Sequence, residues 1–371
     1  MRPPTPPEQD TDIVDVTVIG GGPAGLVCAF EAGLREASAR VIESLPQLGG
    51  QLAALYPEKY IYDVPGFPRI LARDLVENCV EQGLQFGAAY HVGEVAERLE
   101  DVEDPEEPGK PAFRIHTDKG NAYLSRKVVV AAGNGAFEPR RPEVPDLASF
   151  EERGEVRYAV LDPADFAGKR VLIAGGGDSA LDWALRLPEE GAKVALVHRT
   201  NKFRAIERSM SRLRALVDEE VITLHEWSRL AELRRDAAGR LATAVLTSTR
   251  KGEDAAFEQP CDVVLPLLGF HAALGPIERW GLQIEHGQIV VDWSTGLQTS
   301  RYGVFAVGDV NVYPGKLKLI ATGFGEAPHA VNHALHQIRP DMKLQPKHST
   351  TSMPSSSTVA HPEDANPFAT A

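Results

Sequence analysis

The sequence predicts an α/β protein that contains two similar βαβ units, with the second unit in a domain inserted into the first. The stretches "DVTVIGGGPAGLVCAFEAGL" (15–34) and "KRVLIAGGGDSALDWALRL" (169–187) each combine an apolar strand, a glycine-rich turn and a helix pattern. Proline-rich, charged sequence follows residue 137, as is typical of a domain boundary. We therefore predict two Rossmann-like dinucleotide-binding domains. The first comprises residues 13–137 and 294–350, and the second, inserted between these segments, comprises residues 138–293. Residues 351–371 are predicted to form a mobile tail.

The first glycine turn has the GxGxxG pattern at Gly20, Gly22 and Gly25, between a predicted strand and a predicted helix. Glycine permits a tight turn and lets the backbone approach a pyrophosphate, while the helix N-terminus presents free N–H groups. Glu43 follows 18 residues after Gly25, at the end of the next predicted strand. A carboxylate there accepts hydrogen bonds from a ribose 2′-OH. The alternative interpretation is an ordinary tight βα turn with a surface glutamate.

The second glycine turn contains Gly175, Gly177 and Ala180, and alanine is permitted at the third position of the motif. No acidic residue ends the next predicted strand, where "VALVHRTNKFRA" supplies Arg199 and Arg204 instead. Guanidinium groups bind a 2′-phosphate that a carboxylate would repel. This pattern favours NADP over NAD. The alternative is a solvated basic helix start.

A third candidate is Asp309, which follows Gly308 at the end of the predicted strand in "GVFAVGDV". A carboxylate at a strand end can accept hydrogen bonds from a polyol chain. The segment 321–326 then starts a helix, whose N-terminus favours an anionic group. The alternative for both features is helix capping.

Composition excludes several classes of function. The formal net charge of −13 argues against nucleic-acid binding, which requires a basic surface. No apolar run approaches the ~18 residues of a membrane span, and the N-terminus lacks a secretory signal pattern. The three cysteines, Cys28, Cys79 and Cys261, form no CxxC or Cys/His cluster. We therefore expect no metal site, no redox disulfide, no membrane association and a cytoplasmic, reducing environment.

Beyond these motifs, the sequence from about residue 14 to 351 resembles the two-dinucleotide-binding-domain flavoproteins, and among them the ferredoxin–NADP reductases of the thioredoxin-reductase-like type. The resemblance is carried by "ESLPQLGGQLAALYPEKYIYDVPGFPRI", "FAGKRVLIAGGGDSALDWA", "VHRTNKFRA" and "KLKLIATGFGEAPHAVNHA". Thioredoxin reductase itself would carry a CxxC just before the second glycine turn, where "VRYAVLDPADFAGKRV" has no cysteine. Without a dithiol, electrons must leave from the flavin to an external acceptor.

The resemblance implies FAD on the first domain and NADP on the second. The typical "HRR" triplet is "HRT" here, and Thr200 in the third place weakens one phosphate contact. A C-terminal segment, "KHSTTS", matches the one that covers the flavin in this family. The implied FAD contacts are Glu43 at the adenosine ribose, Gln51 at the flavin or its phosphate arm, Tyr56 and His348 stacking on the ring, Ala96 at the adenine, Phe137 and Thr350 near the flavin, and Asp309 at the ribityl–phosphate stretch.

The resemblance also implies an activity, namely electron transfer from NADPH through FAD to ferredoxin or flavodoxin by a homodimer. No side chain is assigned as catalytic, because the flavin supplies the chemistry. One alternative is a thioredoxin-reductase-like enzyme that reduces a quinone or a separate disulfide protein. A non-enzymatic flavin redox sensor is a second alternative, although the second glycine turn has no evident use in it.

Overall fold

The computed structural model describes residues 12–133, 135, 138–204, 207–271 and 273–345. It divides into two compact units, of which the second is Phe137–His271 and the first comprises the chain on either side. The strands are β1 (Val14–Ile19), β2 (Ala39–Glu43), β3 (Tyr60–Ile61), β4 (Ile70–Leu71), β5 (Ala89–Val92), β6 (Ala96–Glu103), β7 (Pro111–Thr117), β8 (Ala122–Val130), β9 (Glu138–Pro139), β10 (Arg170–Ala174), β11 (Lys193–Val197), β12 (Ile222–His225), β13 (Ser228–Arg235), β14 (Leu241–Ser248), β15 (Ala256–Pro260), β16 (Val263–Pro266), β17 (Phe270–His271), β18 (Ile284–Glu285), β19 (Gln288–Val290), β20 (Val304–Ala306) and β21 (Asn311–Val312).

The helices of the described residues are fewer than the strands. The α-helices are α1 (Pro23–Leu34), α2 (Gly50–Leu55), α3 (Ala72–Leu84), α4 (Leu147–Glu152), α5 (Asp178–Arg186), α6 (Glu207–Asp218) and α7 (Ile320–Ile338). Single turns of 3₁₀-helix occupy Pro163–Phe166, Leu187–Glu190, Gly275–Arg279, Trp293–Thr295 and Gly308–Val310. Within these described ranges, no helix combines the length and the apolar character that crossing a bilayer requires.

The first unit is built on a sheet in which β5, β2, β1 and β8 run parallel in that order, and β20 continues the parallel part beside β8. Strands β7 and β6 extend the sheet antiparallel from β8. Every residue of β1 is buried, because a parallel strand is covered on both faces. Helix α1 packs against α3 and α7. The predicted βαβ unit at 13–43 is therefore present as β1, α1 and β2.

The chain re-enters the first unit after residue 271, whereas the sequence pattern placed this crossing at 293. Ile277, Trp280 and Leu282 belong to the same core as β1 and α7. The Trp280 indole N–H also donates to the Glu97 carbonyl at 3.1 Å. Apolar spacing marks these residues as buried but does not indicate which core buries them, and only the packing reveals this.

The second unit contains a four-stranded parallel sheet in the order β12, β11, β10 and β16. Helices α5 and α6 cover it, with Leu181, Trp183 and Leu213 in the shared core. A separate antiparallel sheet, β13–β14–β15, turns at Asp236–Arg240 between β13 and β14. Both units carry the predicted strand, glycine turn and helix, and the two-Rossmann α/β fold class is confirmed.

Candidate functional site

The first glycine turn joins β1 to α1 and depends on glycine at two close approaches. Gly20 has φ +109°, and a Cβ there would lie 2.5 Å from the Ala131 carbonyl oxygen. A Cβ on Gly25 would lie 2.0 Å from the Gly20 carbonyl oxygen. Gly22 N-caps α1 without a side-chain hydrogen bond, and the nearest atom to its Cβ position is 3.9 Å away. The turn is thus tight inside but uncrowded at Gly22, beside the helix N-terminus, a position that favours an anion.

Glu43 ends β2 directly beside this turn and is 5% exposed. Its Oε2 accepts a hydrogen bond from the Gly21 N–H at 2.7 Å. Its Oε1 accepts from the Leu45 N–H at 2.8 Å and from the Ser44 hydroxyl at 3.1 Å. These contacts fix the carboxylate at the turn, and Oε2 retains a lone pair that a ribose hydroxyl can use.

Helix α2 lies against the same turn. The Gly49 N–H donates to the Gly21 carbonyl at 2.8 Å, and a Cβ on Gly50 would lie 3.0 Å from the Gly22 Cα. Gln51 follows at once, with its amide nitrogen 3.0 Å from the position of a Cβ on Gly133, just after β8. Tyr56 C-caps the same helix, and the Lys59 ammonium lies 4.8 Å from its ring centroid. The segment therefore brings Gln51 to the carboxyl end of the sheet.

Asp309 reaches this end of the sheet from the C-terminal part of the first unit. The preceding Gly308 has φ +77°, and its Cβ position is 3.4 Å from the Ala24 Cβ in the first turn of α1. The Asp309 carboxylate is half-buried and has no hydrogen-bonding partner within the described part of the chain. Ala96 is buried at the start of β6, and the nearby Glu94 N–H donates to the Glu43 carbonyl at 3.0 Å. The segments next to both residues thus contact the turn or Glu43.

The structure gathers most of the predicted FAD contacts around one edge of the first unit's sheet. Three predicted contacts, Phe137, His348 and Thr350, lie outside the described residues, as does the predicted tail. Those present suit a dinucleotide, because Gly22 at the helix N-terminus leaves room for a close approach and the Asp309 carboxylate has no hydrogen-bonding partner in the described ranges. The gathered residues are Gly20, Gly22, Gly25, Glu43, Gln51, Ala96 and Asp309.

The second glycine turn joins β10 to α5 in the second unit. A Cβ on Gly175 would lie 2.4 Å from the Leu267 carbonyl oxygen and 2.9 Å from the Ala180 Cβ. Ala180 is fully buried beneath the turn. Gly177 N-caps α5, and no atom lies within 4 Å of its Cβ position. This turn is therefore also closed beneath and open above the helix N-terminus.

Basic side chains stand beside the second turn. The Arg204 N–H donates to the Gly176 carbonyl at 2.7 Å. The side chains of Arg199 and Arg204 are exposed, and neither has an ion-pair partner in the described ranges. The His198 ring covers the turn, since a Cβ on Gly176 would lie 2.3 Å from its Cε1. Burial lowers the pKa of His198 and so favours its neutral ring. Two unpaired guanidinium groups can attract a phosphate here.

Several residues that shape these sites were not identified from the sequence. Gly21 contacts Glu43, Gly50 lies against Gly22, and Gly133 lies against Gln51. Of these three glycines, only Gly50 could have been found from a local pattern, the "GG" at 49–50. Lys316 and Glu326 enclose Gly308 with buried charges that no sequence pattern marked.

The cysteines and the potential metal-binding side chains do not gather into a disulfide or a metal site within the described ranges. The three cysteines are free and buried, and burial raises the pKa of Cys79 to about 11 and of Cys261 to about 12. No group of three or more potential metal-binding side chains occurs in the part of the chain that the structure describes.

Comparison with known proteins places the chain in a class. Residues 14–334 match the family model described as pyridine nucleotide-disulphide oxidoreductase, and the chain belongs to this family. A solved relative, thioredoxin reductase from Lactococcus lactis, is 25% identical with a TM-score of 0.69, over 87% of this chain and 98% of its own.

Within the family, the chain is similar to proteins named ferredoxin–NADP reductase. The protein of that name from Thermus thermophilus is 47% identical over 342 residues, which are 91% of this chain and 97% of the relative. Ferredoxin–NADP reductase 2 from Oceanobacillus iheyensis is 43% identical over 341 residues, which are 92% of this chain and 99% of the relative. The resemblance predicted from the motifs is confirmed.

Proposed function

We propose that the protein is a flavoprotein oxidoreductase that passes electrons from NADPH through FAD to a ferredoxin. The observation that carries this proposal is the difference between the two glycine turns. Glu43 is hydrogen-bonded at the first turn, whereas Arg199 and Arg204 at the second are exposed and have no ion-pair partner among the described residues. Two equivalent turns with opposite charges suit two different dinucleotides. The relatives named ferredoxin–NADP reductase support the same reaction.

FAD is assigned to the first unit. Its pyrophosphate would lie over Gly22 at the N-terminus of α1, its adenosine ribose against Glu43, and its ribityl chain against Asp309. When bound there, FAD would supply hydride acceptance from a dihydronicotinamide and release of electrons one at a time. The chain's contribution is to bind, to orient and to exclude water. Gln51 and Tyr56, at the two ends of α2, are the side chains proposed for the flavin end of the site.

NADPH is assigned to the second unit, with its pyrophosphate over Gly177 at the N-terminus of α5. The 2′-phosphate would meet Arg199 and Arg204, whose exposed guanidinium groups supply forked donors. Within the described ranges, the Thr200 hydroxyl, which replaces a third basic residue, makes its hydrogen bonds inside its own loop, to His198 and Lys202. Two arginines therefore carry the proposed discrimination against NADH.

The electron acceptor is proposed to be external. All three cysteines are buried, so a thiol relay would need a surface that none of them reaches. This favours a ferredoxin over a disulfide protein as the partner, and a flavodoxin, which also accepts single electrons, is the second acceptor that we propose. The unpaired state of the cysteines suits the reducing cytoplasm.

A homodimer is also proposed. Tyr60, Tyr62 and Phe67 are 40%, 68% and 40% exposed, and the rings of Tyr60 and Tyr62 are 6.4 Å apart. An aromatic surface of this kind is typical of a protein interface, and a second copy of the chain is the occupant that we propose. Sedimentation velocity of the wild type and of Tyr62→Ser tests it. A wild-type monomer, or an unaltered dimer of the variant, would contradict the proposed surface.

Anaerobic stopped-flow spectroscopy tests the proposed reaction. The purified protein should show the visible bands of oxidised flavin and should lose them rapidly with NADPH, and more slowly with NADH at the same concentration. Adding an oxidised ferredoxin should restore the bands. A colourless protein that binds no added FAD would refute the proposal, and failure to reduce any ferredoxin or flavodoxin while reducing a quinone would favour the alternative acceptor.

A further inference from the structure

A buried ion pair lies where α7 approaches the Asp309 turn. Glu326, in the second turn of α7, is 0% exposed, and the Lys316 side chain that pairs with it is 4% exposed. Taking two charges out of water costs several kcal/mol per ion, so a buried pair is a weak means of stabilising a fold. A buried pair of this kind is therefore more readily explained by the backbone groups that it holds in place than by its contribution to stability.

The two charged groups hold the peptide groups on both sides of Gly308. The Gly308 N–H donates to Glu326 Oε2 at 2.7 Å, and the Lys316 ammonium donates to the Gly308 carbonyl at 2.9 Å. These peptide groups set the backbone angles of Gly308, which has φ +77°. Because Asp309 is the next residue, its direction depends on this clamp.

Neighbouring side chains complete the clamp. Glu326 Oε2 also accepts from the Asn311 amide at 3.1 Å, and Oε1 accepts from the Tyr313 hydroxyl at 2.8 Å and from Lys316. The Asp309 carbonyl is held separately by the Gln288 amide at 3.1 Å. The Gly308 N–H and the carbonyls of Gly308 and Asp309 are therefore hydrogen-bonded, whereas the Asp309 carboxylate itself has no partner in the described part of the chain.

We propose that Glu326 and Lys316 are positioning residues that direct the Asp309 carboxylate toward the ribityl chain of FAD. The inference rests on the proposed function, because it requires FAD at the first glycine turn. Neither residue touches the cofactor in this proposal; both act through the Gly308 backbone. Pre-orienting the carboxylate removes part of the entropic cost of binding.

A double-mutant cycle on the apoprotein tests the route of action. FAD is titrated by fluorescence quenching into Glu326→Gln/Lys316→Met, Asp309→Ala and the triple variant. The pair is replaced together so that no charge is left buried alone. We expect the clamp variant to bind FAD about tenfold more weakly than the wild type, with less than about twofold further loss when Asp309 is already alanine. Thermal unfolding of each apoprotein verifies that the variants fold.

Two further variants sharpen the test. Tyr313→Phe removes one hydrogen bond to Glu326 and leaves the ion pair intact, so it tests the same route even if the clamp variant does not fold. We expect about a threefold loss of FAD affinity that is absent in the Asp309→Ala background. Glu31→Gln is the matched control, because Glu31 is a buried carboxylate of the same unit that accepts from Asn332, not from Gly308. It should bind FAD like the wild type.

Losses of affinity that are equal in the wild-type and Asp309→Ala backgrounds would overturn the positioning role, as would unchanged affinity in both the clamp variant and Tyr313→Phe. No effect of Asp309→Ala alone would also overturn it, since the clamp would then have nothing to direct. A wild-type apoprotein that binds no FAD would instead refute the proposed function, so the two failures are distinguishable.

Discussion

Two alanine substitutions in the first glycine turn separate the folding of this turn from its binding of a dinucleotide. In Gly25→Ala the new Cβ would lie 2.0 Å from the Gly20 carbonyl oxygen and 3.2 Å from a Val18 methyl. Atoms of this kind essentially never approach closer than 3.0 Å, so α1 and the turn must separate by about 1 Å. Overpacking of this size destabilises by about 1–3 kcal/mol. We expect Gly25→Ala to unfold at lower temperature and to lose FAD.

Gly22→Ala is the matched variant. Its Cβ would have no atom closer than 3.9 Å, and its φ of −74° is one that alanine readily adopts. The apoprotein should therefore be as stable as the wild type. The new methyl group would occupy the space where the pyrophosphate approaches the backbone, so FAD affinity should fall at least tenfold.

The assay has two readouts for each apoprotein, namely thermal unfolding followed by circular dichroism and FAD binding followed by flavin fluorescence. The expected pattern is loss of binding in both variants and loss of stability in Gly25→Ala alone. If Gly22→Ala binds FAD as tightly as the wild type, the dinucleotide does not lie over this turn. If Gly25→Ala is as stable as the wild type, the close approach at Gly20 does not constrain the turn.

Three other predictions concern the second unit, a buried carboxylate and the thiols. Arg199→Ala and Arg204→Ala should each raise the KM for NADPH about tenfold and leave that for NADH within about twofold, because each removes a charge-assisted contact to the 2′-phosphate; equal changes for both nucleotides in steady-state assays would contradict this. Burial raises the pKa of Glu31 above its usual 4.5, so the folded state binds its proton more tightly and wild-type stability falls as the pH rises through that raised pKa. Glu31→Gln should therefore gain stability over the wild type as the pH increases from 4 to 7 in urea unfolding, whereas a pH-independent difference would count against it. Cys28, Cys79 and Cys261 are buried with raised pKa values, so iodoacetamide at pH 8 should leave NADPH-dependent ferredoxin reduction intact, and rapid inactivation would indicate a reactive thiol.

Local pattern was sufficient for the elements on which the sites stand. The apolar runs at β1 and β10 and the glycines that follow them specify strand, turn and helix through short-range sterics, and the structure contains both of these units. The opposite charges beside the two turns are also visible in the sequence, because Glu43 ends the strand after the first turn, and Arg199 and Arg204 follow the strand after the second. Fold class and family followed from these motifs and were confirmed.

The position at which the chain returns to the first unit could not be predicted from local sequence patterns. The segment from 273 to 293 has apolar residues, but burial in either unit would give the same spacing. The hydrogen bond from Trp280 to Glu97, a residue 183 positions away in sequence, shows that this segment packs in the first unit. Contacts of this range depend on the packed fold and leave no periodic trace in the chain.

By itself, the sequence determined that two glycine turns exist and which charged residues follow each of them. Only the tertiary structure decided which distant residues join them. In the folded chain, Gly308 lies against Ala24. Glu326 and Lys316 are buried beside Gly308, where they form an ion pair with each other. The physical reason is that a turn motif is encoded by steric limits within a few residues, whereas a buried charge is tolerated only where the folded chain supplies its partner.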